Sequence, residues 1–302
     1  MTRYYRVAEH IFSIDAPEAV FAQLPNYAPF ELSTSTPYTL HSTPLVAINV
    51  QEGPLLTADN WAHVYTDSSE EEMPRVEMYR RDEEWLFRVA LTQQSEVVST
   101  MRCSADWHQV DLYLLPEYVR FAIDNAAMLV FSFASASCRT LLFHSSVTVK
   151  EGTAYMFLGH SGTGKSTHSE QWKKAFPEVS LLNDDNPAVR ILSNGEVRVY
   201  GSPWSGKTPC YKNESAPVGA LVQLAQAPEN KIERLRMTQA YPYILSSISG
   251  LKTQAEMMDQ LYQSIAALLE TTPVYRLECL PNPDAARLCA QTCSPSPDRT
   301  DN

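Results

Sequence analysis

Two hydrophobic rhythms divide this 302-residue chain. Up to about residue 115 the period is two: Trp85, Phe87, Val89 and Leu91 alternate with Leu86, Arg88 and Ala90, and Val110, Leu112 and Leu114 alternate with Asp111 and Tyr113. Alternation of this kind marks strands half-buried in a sheet. Residues 1–115 therefore read as a small, mostly antiparallel β-rich domain. Pieces rich in Pro, Ser, Thr and Asp interrupt it at 33–44 and 66–74, where Glu70-Glu71-Glu72 marks a solvated loop.

From Pro116 the rhythm changes. Val119, Ile123, Ala126, Val130 and Phe133 recur at spacings of three and four, one face of a helix opened by the proline, and the helix is expected to pack on the domain that follows. Short apolar runs then alternate with helical stretches. Leu141-Leu142-Phe143 and Val147-Thr148-Val149 bracket His144; Thr153–Leu158 reads as a strand, Ser166–Phe176 as a helix stopped by Pro177, and Val179–Leu182 as a buried strand. Val189–Leu192 and Val197–Tyr200 flank Ser193-Asn194-Gly195-Glu196, and Asn-Gly between alternating apolar residues is the strongest short-range signal for a hairpin. Further on, Val218–Leu224 is a strand. Thr253-x-x-Glu256 is a capping box for a helix with Met257, Leu261, Ile265 and Leu268 on one face, and Asn282-Pro283-Asp284 opens a last short helix. The expected fold is α/β, of mixed α+β character. Its divisions are residues 1–115, 116–293 and a Pro/Ser/Asp-rich disordered tail at 294–302.

Composition narrows the classes of function. A formal charge of −11 and the lack of any basic run longer than Arg80-Arg81 or Lys173-Lys174 argue against nucleic acid or an anionic membrane as partner. Six cysteines, at 103, 138, 210, 279, 289 and 293, form no CxxC pair and read as free thiols of a reducing compartment. Cys289 and Cys293 stand four apart on one helix, but two ligands do not make a zinc site. Met1-Thr2-Arg3-Tyr4-Tyr5 lacks a signal-peptide layout, and Ala126–Ala136 is too short to span a bilayer, so a cytoplasmic protein is expected. An oligomer is compatible with this composition.

The chemistry concentrates in Gly159-His160-Ser161-Gly162-Thr163-Gly164-Lys165-Ser166-Thr167, which fits G-x-x-x-x-G-K-[ST]. In such a loop glycines let backbone N–H groups point at phosphate oxygens while the following helix adds the positive end of its dipole. Lys165 would reach the β/γ-phosphates, and the Ser166 hydroxyl would hold Mg²⁺. Strand, loop and helix come in the required order. The alternative, an ordinary glycine-rich turn, needs neither Lys165 nor Ser166 where they stand.

Asn183-Asp184-Asp185 follows the next strand. A turn is the bland reading of Asn-Asp-Asp-Asn-Pro, but two carboxylates at a strand end after a phosphate loop can hold Mg²⁺ and accept a proton from an acceptor hydroxyl. Gly201-Ser202-Pro203-Trp204-Ser205-Gly206-Lys207 is either a mobile loop that closes over phosphates and brings Lys207 to them, or a turn with Trp204 as a hydrophobic plug.

Together these segments resemble the nucleotide domain shared by HPr serine kinase/phosphorylase and ATP-dependent phosphoenolpyruvate carboxykinases. Gly159–Thr167 matches their nucleotide loop, Asp184-Asp185 their paired aspartate, and His144 a histidine that HPr kinases place before the strand feeding the loop. The match covers residues 140–225, and 116–293 as a fold. It implies binding of ATP, or another nucleoside triphosphate, with Mg²⁺, and transfer of the γ-phosphoryl to a hydroxyl of a small molecule or a protein serine. It assigns the base to Asp184, the metal to Asp185 beside Ser166 of the loop, and a phosphate or metal-shell contact to His144, while Lys207 of the Gly201–Lys207 segment is a candidate phosphate or acceptor contact on its own residues. Two departures matter: the chain is too short for a complete carboxykinase, and it lacks the glycine-rich signature with which HPr kinases engage their protein substrate. A nucleotide-binding regulator without transfer and a carboxykinase-like lyase are the alternatives.

Overall fold

The computed structural model describes residues 1–33, 43–67, 74–206, 208–250 and 254–294. The acidic run Glu70–Glu72, Thr253 of the capping box, Lys207 and the expected tail from residue 295 lie outside the described residues. The chain forms two compact units, Met1–Cys138 and Arg139–Gly250 with the chain from Ala255 onward. Both are built on large sheets, and the architecture is mixed α/β with strands predominating.

The first unit carries β1 (Thr2–Val7), β2 (His10–Asp15), β3 (Val46–Val50), β4 (Ala62–Asp67), β5 (Arg75–Arg81), β6 (Glu84–Ala90), β7 (Val97–Cys103) and β8 (Gln109–Leu114). They form one eight-stranded sheet in the order β1-β2-β3-β8-β7-β6-β5-β4. Pairing is mostly antiparallel, as the alternation predicts, but β3 runs parallel to both β2 and β8. This sheet is larger than the small domain expected.

The helix Val119–Ala136 belongs to this unit, not to the one that follows. Phe133 packs 5.0 Å from Trp107 and 6.0 Å from Phe87, and Phe131 lies 6.1 Å from Phe12. Asn26 Nδ2 donates to Asp124 Oδ1 at 2.9 Å from the same side. The boundary thus falls after Cys138 rather than at residue 115. A helical period reveals that a face is buried, not which sheet covers it; the aromatic pair Phe131/Phe133 finds its complement among the first sheet's rings, each worth about 2–3 kcal/mol on burial. Counted from Pro116 to Ala136, the stretch is 21 residues, long and apolar enough by length and composition to cross a membrane, and 67% of the apolar window is buried inside the fold.

The second unit carries β9 (Thr140–Phe143), β10 (Ser145–Lys150), β11 (Thr153–Leu158), β12 (Ser180–Asn183), β13 (Ala188–Ile191), β14 (Val197–Tyr200), β15 (Ser215–Gln226), β16 (Lys231–Arg234), β17 (Ile248–Ser249) and β18 (Val274–Cys279). The main path of its ten-stranded sheet is β12-β10-β11-β15-β14-β13-β9-β17, with β18 joining β15 and β16 joining β18. Its strand β15 is long enough to pair with β14 through its first residues and with β18 through its last. The hairpin at Asn194-Gly195 forms as expected, with Arg190 opposite Arg198 and Gly195 at φ 86°.

Helices Lys165–Ala175 and Pro283–Cys293 cover one side: Trp172, Ala286, Cys289 and Cys293 close over Tyr155, Phe157, Val222 and Leu277. Asn282 caps the latter helix by accepting from Ala285 N at 3.0 Å. Helix Met237–Ser247 also packs against β11 and β18, and helix Ala255–Thr271 packs against β9 and β13 through a face that buries Met257, Leu261, Ile265 and Leu268.

Candidate functional site

Strand register brings the polar segments together. Antiparallel β10 lies between β11 and β12, with Ser145 opposite Leu158 and Val147 opposite Asn183. The two outer strands are therefore parallel. His144 at the start of β10, the loop after β11 and Asp184-Asp185 after β12 all emerge at one sheet edge. Strand β15 is parallel to β11 and delivers Gln226 to that edge, where its Nε2 donates to Gly162 O at 3.2 Å.

The loop folds as its glycines require. Gly164, the residue before the helix Lys165–Ala175, sits at φ 106°, a left-handed value that side chains disfavour. Gly159 lies at φ 152°, and a Cβ there would come within 2.9 Å of Thr163 Cγ2. No side chain caps the helix that begins at Lys165, so the first turn can offer backbone N–H groups to an anion. Lys165 is 9% exposed, and its ammonium folds back on the loop, donating to Gly159 O at 2.9 Å and His160 O at 3.2 Å. His160, Ser161, Gly162, Ser166 and Thr167 are exposed, and Thr163 is half-buried.

The two aspartates occupy different environments. Asp184 is 6% exposed; its Oδ1 accepts from Ser146 Oγ at 2.8 Å, and its Oδ2, also buried, has no hydrogen-bond partner. Asp185 keeps 32% of its side-chain surface open, with Oδ1 3.5 Å from His144 Nδ1 and Oδ2 accepting from Asn186 Nδ2 at 2.8 Å. Burial pushes the Asp185 carboxyl up to about 6; Lys165 opposes the rise, the Asp184 charge adds to it, and the Asn186 hydrogen bond opposes it. Burial, then Lys165 and His160, hold the His144 imidazole down at about 4. At neutral pH the 3.5 Å contact thus joins a carboxylate to a neutral ring.

The segment after Gly201 is half scaffold. Ser202, Pro203 and Trp204 are buried, Trp204 at 4% exposure. Ser202 Oγ accepts from Asn183 Nδ2 at 3.1 Å and donates to Asn186 O at 2.6 Å, while Asn186 N donates to Trp204 O at 3.2 Å. Trp204 is the plug of the two alternatives, not a cover. Gly206 closes on the aspartates, since a Cβ there would lie 3.1 Å from Asp185 Cβ. Lys207 is outside the described residues.

Several residues at this edge carry no sequence signal. Ser146 and Ser169 are buried small polar residues in strand or helix positions that read equally well as solvent-facing. His168 accepts from Trp172 Nε1 at 3.0 Å, and burial lowers its imidazole to about 4. The i,i+4 spacing of His168 and Trp172 is the one cue that could have paired them. Among the described residues no group of three His, Cys, Asp or Glu is placed to hold a metal ion alone. Comparison with known proteins finds no matching family model and no matching curated protein.

Proposed function

We propose that the chain is a Mg-ATP-dependent phosphotransferase whose second unit is a P-loop domain of the HPr kinase/carboxykinase type, passing the γ-phosphoryl to a hydroxyl of a small molecule or a protein serine. The observation that carries this reading is the meeting, at one sheet edge, of a glycine loop opening an uncapped helix with a lysine, a serine and two aspartates. A glycine-rich turn would need none of those partners. Lys165 and the loop amides neutralise charge on the transferring group, the largest service a protein renders in phosphoryl transfer.

The residues fit Mg²⁺. Asp184 Oδ2 is a buried carboxylate oxygen without a partner, and Ser166 is exposed beside the loop. Mg²⁺ needs only one or two protein oxygens when phosphates and waters complete its shell, which suits an edge without a three-residue ligand group. When bound, the ion draws electron density from the phosphoryl oxygens. The environments favour exchanging the two aspartate roles that the resemblance implies. Asp184, with one oxygen fixed and the other buried without a hydrogen-bond partner, suits the metal. Asp185 keeps a third of its side-chain surface accessible from solvent and stands 3.5 Å from His144 Nδ1, which suits the group that takes the acceptor's proton.

Calorimetric titration with ADP and ATP, with and without Mg²⁺, followed by ADP release over a panel of hydroxyl acceptors, tests the proposal. Mg²⁺-dependent binding and acceptor-dependent ADP release are expected. Absence of nucleotide binding would overturn it, and binding without release under every acceptor would leave a nucleotide-binding regulator.

A further inference from the structure

Ser146 is fully buried on β10, and its hydroxyl makes two contacts: 2.8 Å to Asp184 Oδ1 and 2.6 Å to Ser169 Oγ. A serine hydroxyl has one proton. With that proton directed to the carboxylate, the short contact to Ser169 has Ser169 as donor. The result is a directed chain, Ser169 to Ser146 to Asp184. Ser169 stands four residues after Lys165 on the same helix, so both project from one face of it. The chain ties the helix that begins with Lys165 and Ser166 to the Asp184 carboxylate.

The other carboxylate oxygen supplies a second, independent observation. Buried polar atoms are nearly always hydrogen-bonded, and leaving one unpaired is costly. Asp184 Oδ2 is buried and unpartnered. One oxygen held by a hydroxyl and one left open describes a carboxylate oriented for something that arrives later.

Resting on the phosphotransferase reading, we infer that Ser146, backed by Ser169, is a positioning residue for the divalent cation: it fixes the Asp184 carboxylate relative to Ser166 before the nucleotide binds. Its substitution should therefore act on the coupling between Mg²⁺ and nucleotide, not on the loop's own grip on phosphate. Outer partners of metal-ligating side chains typically set metal affinity by 10- to 100-fold.

The experiment is calorimetry of ADP with and without Mg²⁺ on the full chain and on Ser146→Ala, Ser146→Thr, Ser169→Ala and Asp184→Asn. In Ser146→Ala the Mg²⁺ enhancement of ADP affinity should fall about tenfold while Mg²⁺-free affinity holds; Ser146→Thr, which keeps the hydroxyl, should restore it. Ser169→Ala should lose less, because Ser146 retains its proton for Asp184, and Ser146→Ala combined with Asp184→Asn should lose no more than Asp184→Asn alone. An unchanged Mg²⁺ enhancement in Ser146→Ala, or additive losses in the double variant, overturns the inference while leaving the phosphotransferase reading intact. Should Ser146→Ala fail to fold, Ser169→Ala decides by the same readout. A wild-type chain that binds ADP without any Mg²⁺ enhancement overturns both.

Discussion

The two units bury sheets of similar size but different atoms. In the first, the buried polar side chains among the described residues are Ser13, Asn26, Ser99, Thr100, Ser132 and Ser135, none of them charged. Its charges remain nearer the surface in pairs, Arg75 and Arg88 on Glu77 at 3.0 and 3.2 Å and Arg102 on Asp111 at 2.7 Å. The second unit buries Lys165 and Asp184, with Ser146, Ser169, Asn183, Asn186 and Ser202 around them. Burying a charge costs several kcal/mol unless partners compensate, and a core gains nothing by it. One unit is organised for cohesion. The other gives up cohesion at a single edge, where the chemistry is proposed.

The largest effect should come from breaking cohesion in the unit for which no chemistry is proposed. Phe131→Ala removes a ring that is 1% exposed and packed on Phe12 and His10, and should lower the stability of the first unit by about 3–5 kcal/mol. Under conditions where the variant remains folded, its affinity for Mg-nucleotide should equal that of the parent. Denaturation followed by tryptophan fluorescence, beside calorimetry, checks both halves, and a fall in affinity would mean that the division of labour is not real.

Acid should expose the opposite weakness in the second unit. His168 is held neutral, at about 4 against an ordinary value of 6.5, by burial beside Phe157 and Trp172. On acidification the unfolded chain takes up this proton near pH 6.5, whereas the folded chain resists until near pH 4. The stabilisation is thus complete above pH 6.5 and is lost as the pH falls to 4, amounting to about 3 kcal/mol. Asp185 titrates in the same range with the opposite sign and His144 with the same sign, so the measurement is the difference between wild type and His168→Gln. The glutamine variant should flatten the loss; parallel curves would show that His168 is not the group.

Asp184 and Asp185 allow the proposed edge itself to be divided. Asp185→Asn should reduce phosphoryl transfer at least about 100-fold, near 2.7 kcal/mol, with little change in Mg-ADP affinity. Asp184→Asn should instead change the Mg²⁺ dependence of binding. Identical metal titrations for the two variants would remove the assignment of separate roles.

Much of this edge is legible in the amino-acid order because its candidate residues lie close together along the chain. A glycine loop, the lysine and serine that follow it and two adjacent aspartates each sit within a few residues, and strand and helix periods place them on the correct elements. What was not legible is contributed by distant pairs. Nothing at Ser146 says that a helix twenty-three residues later presents Ser169 to it, and a strand serine reads as solvent-facing until its neighbour is known. Val119–Ala136 failed for the same reason: its faces are buried nearly all round, so the pattern named no partner sheet. The parallel insertion of β3 between β2 and β8 is likewise a matter of topology that alternation cannot express. Trp204 could be told from a lid only by the Ser202 hydroxyl and the Asn186 N–H that pin its backbone.

The smallest effect should be the most selective. Lys165 Nζ is bonded to the carbonyls of Gly159 and His160 at 2.9 and 3.2 Å, so in the nucleotide-free chain its charge braces the loop from within. A triphosphate offers that ammonium a γ-phosphate; a diphosphate offers it less, and the loop amides alone can hold the rest. Lys165→Ala should therefore weaken ATP binding about tenfold more than ADP binding, near 1.4 kcal/mol of selectivity. It should also loosen the loop, which hydrogen exchange at residues 159–164 would report as faster opening. Calorimetry with both nucleotides decides the matter. Equal losses for ATP and ADP would show that Lys165 only braces the loop, and the second unit's buried charge would then belong, like the pairs of the first, to the fold alone.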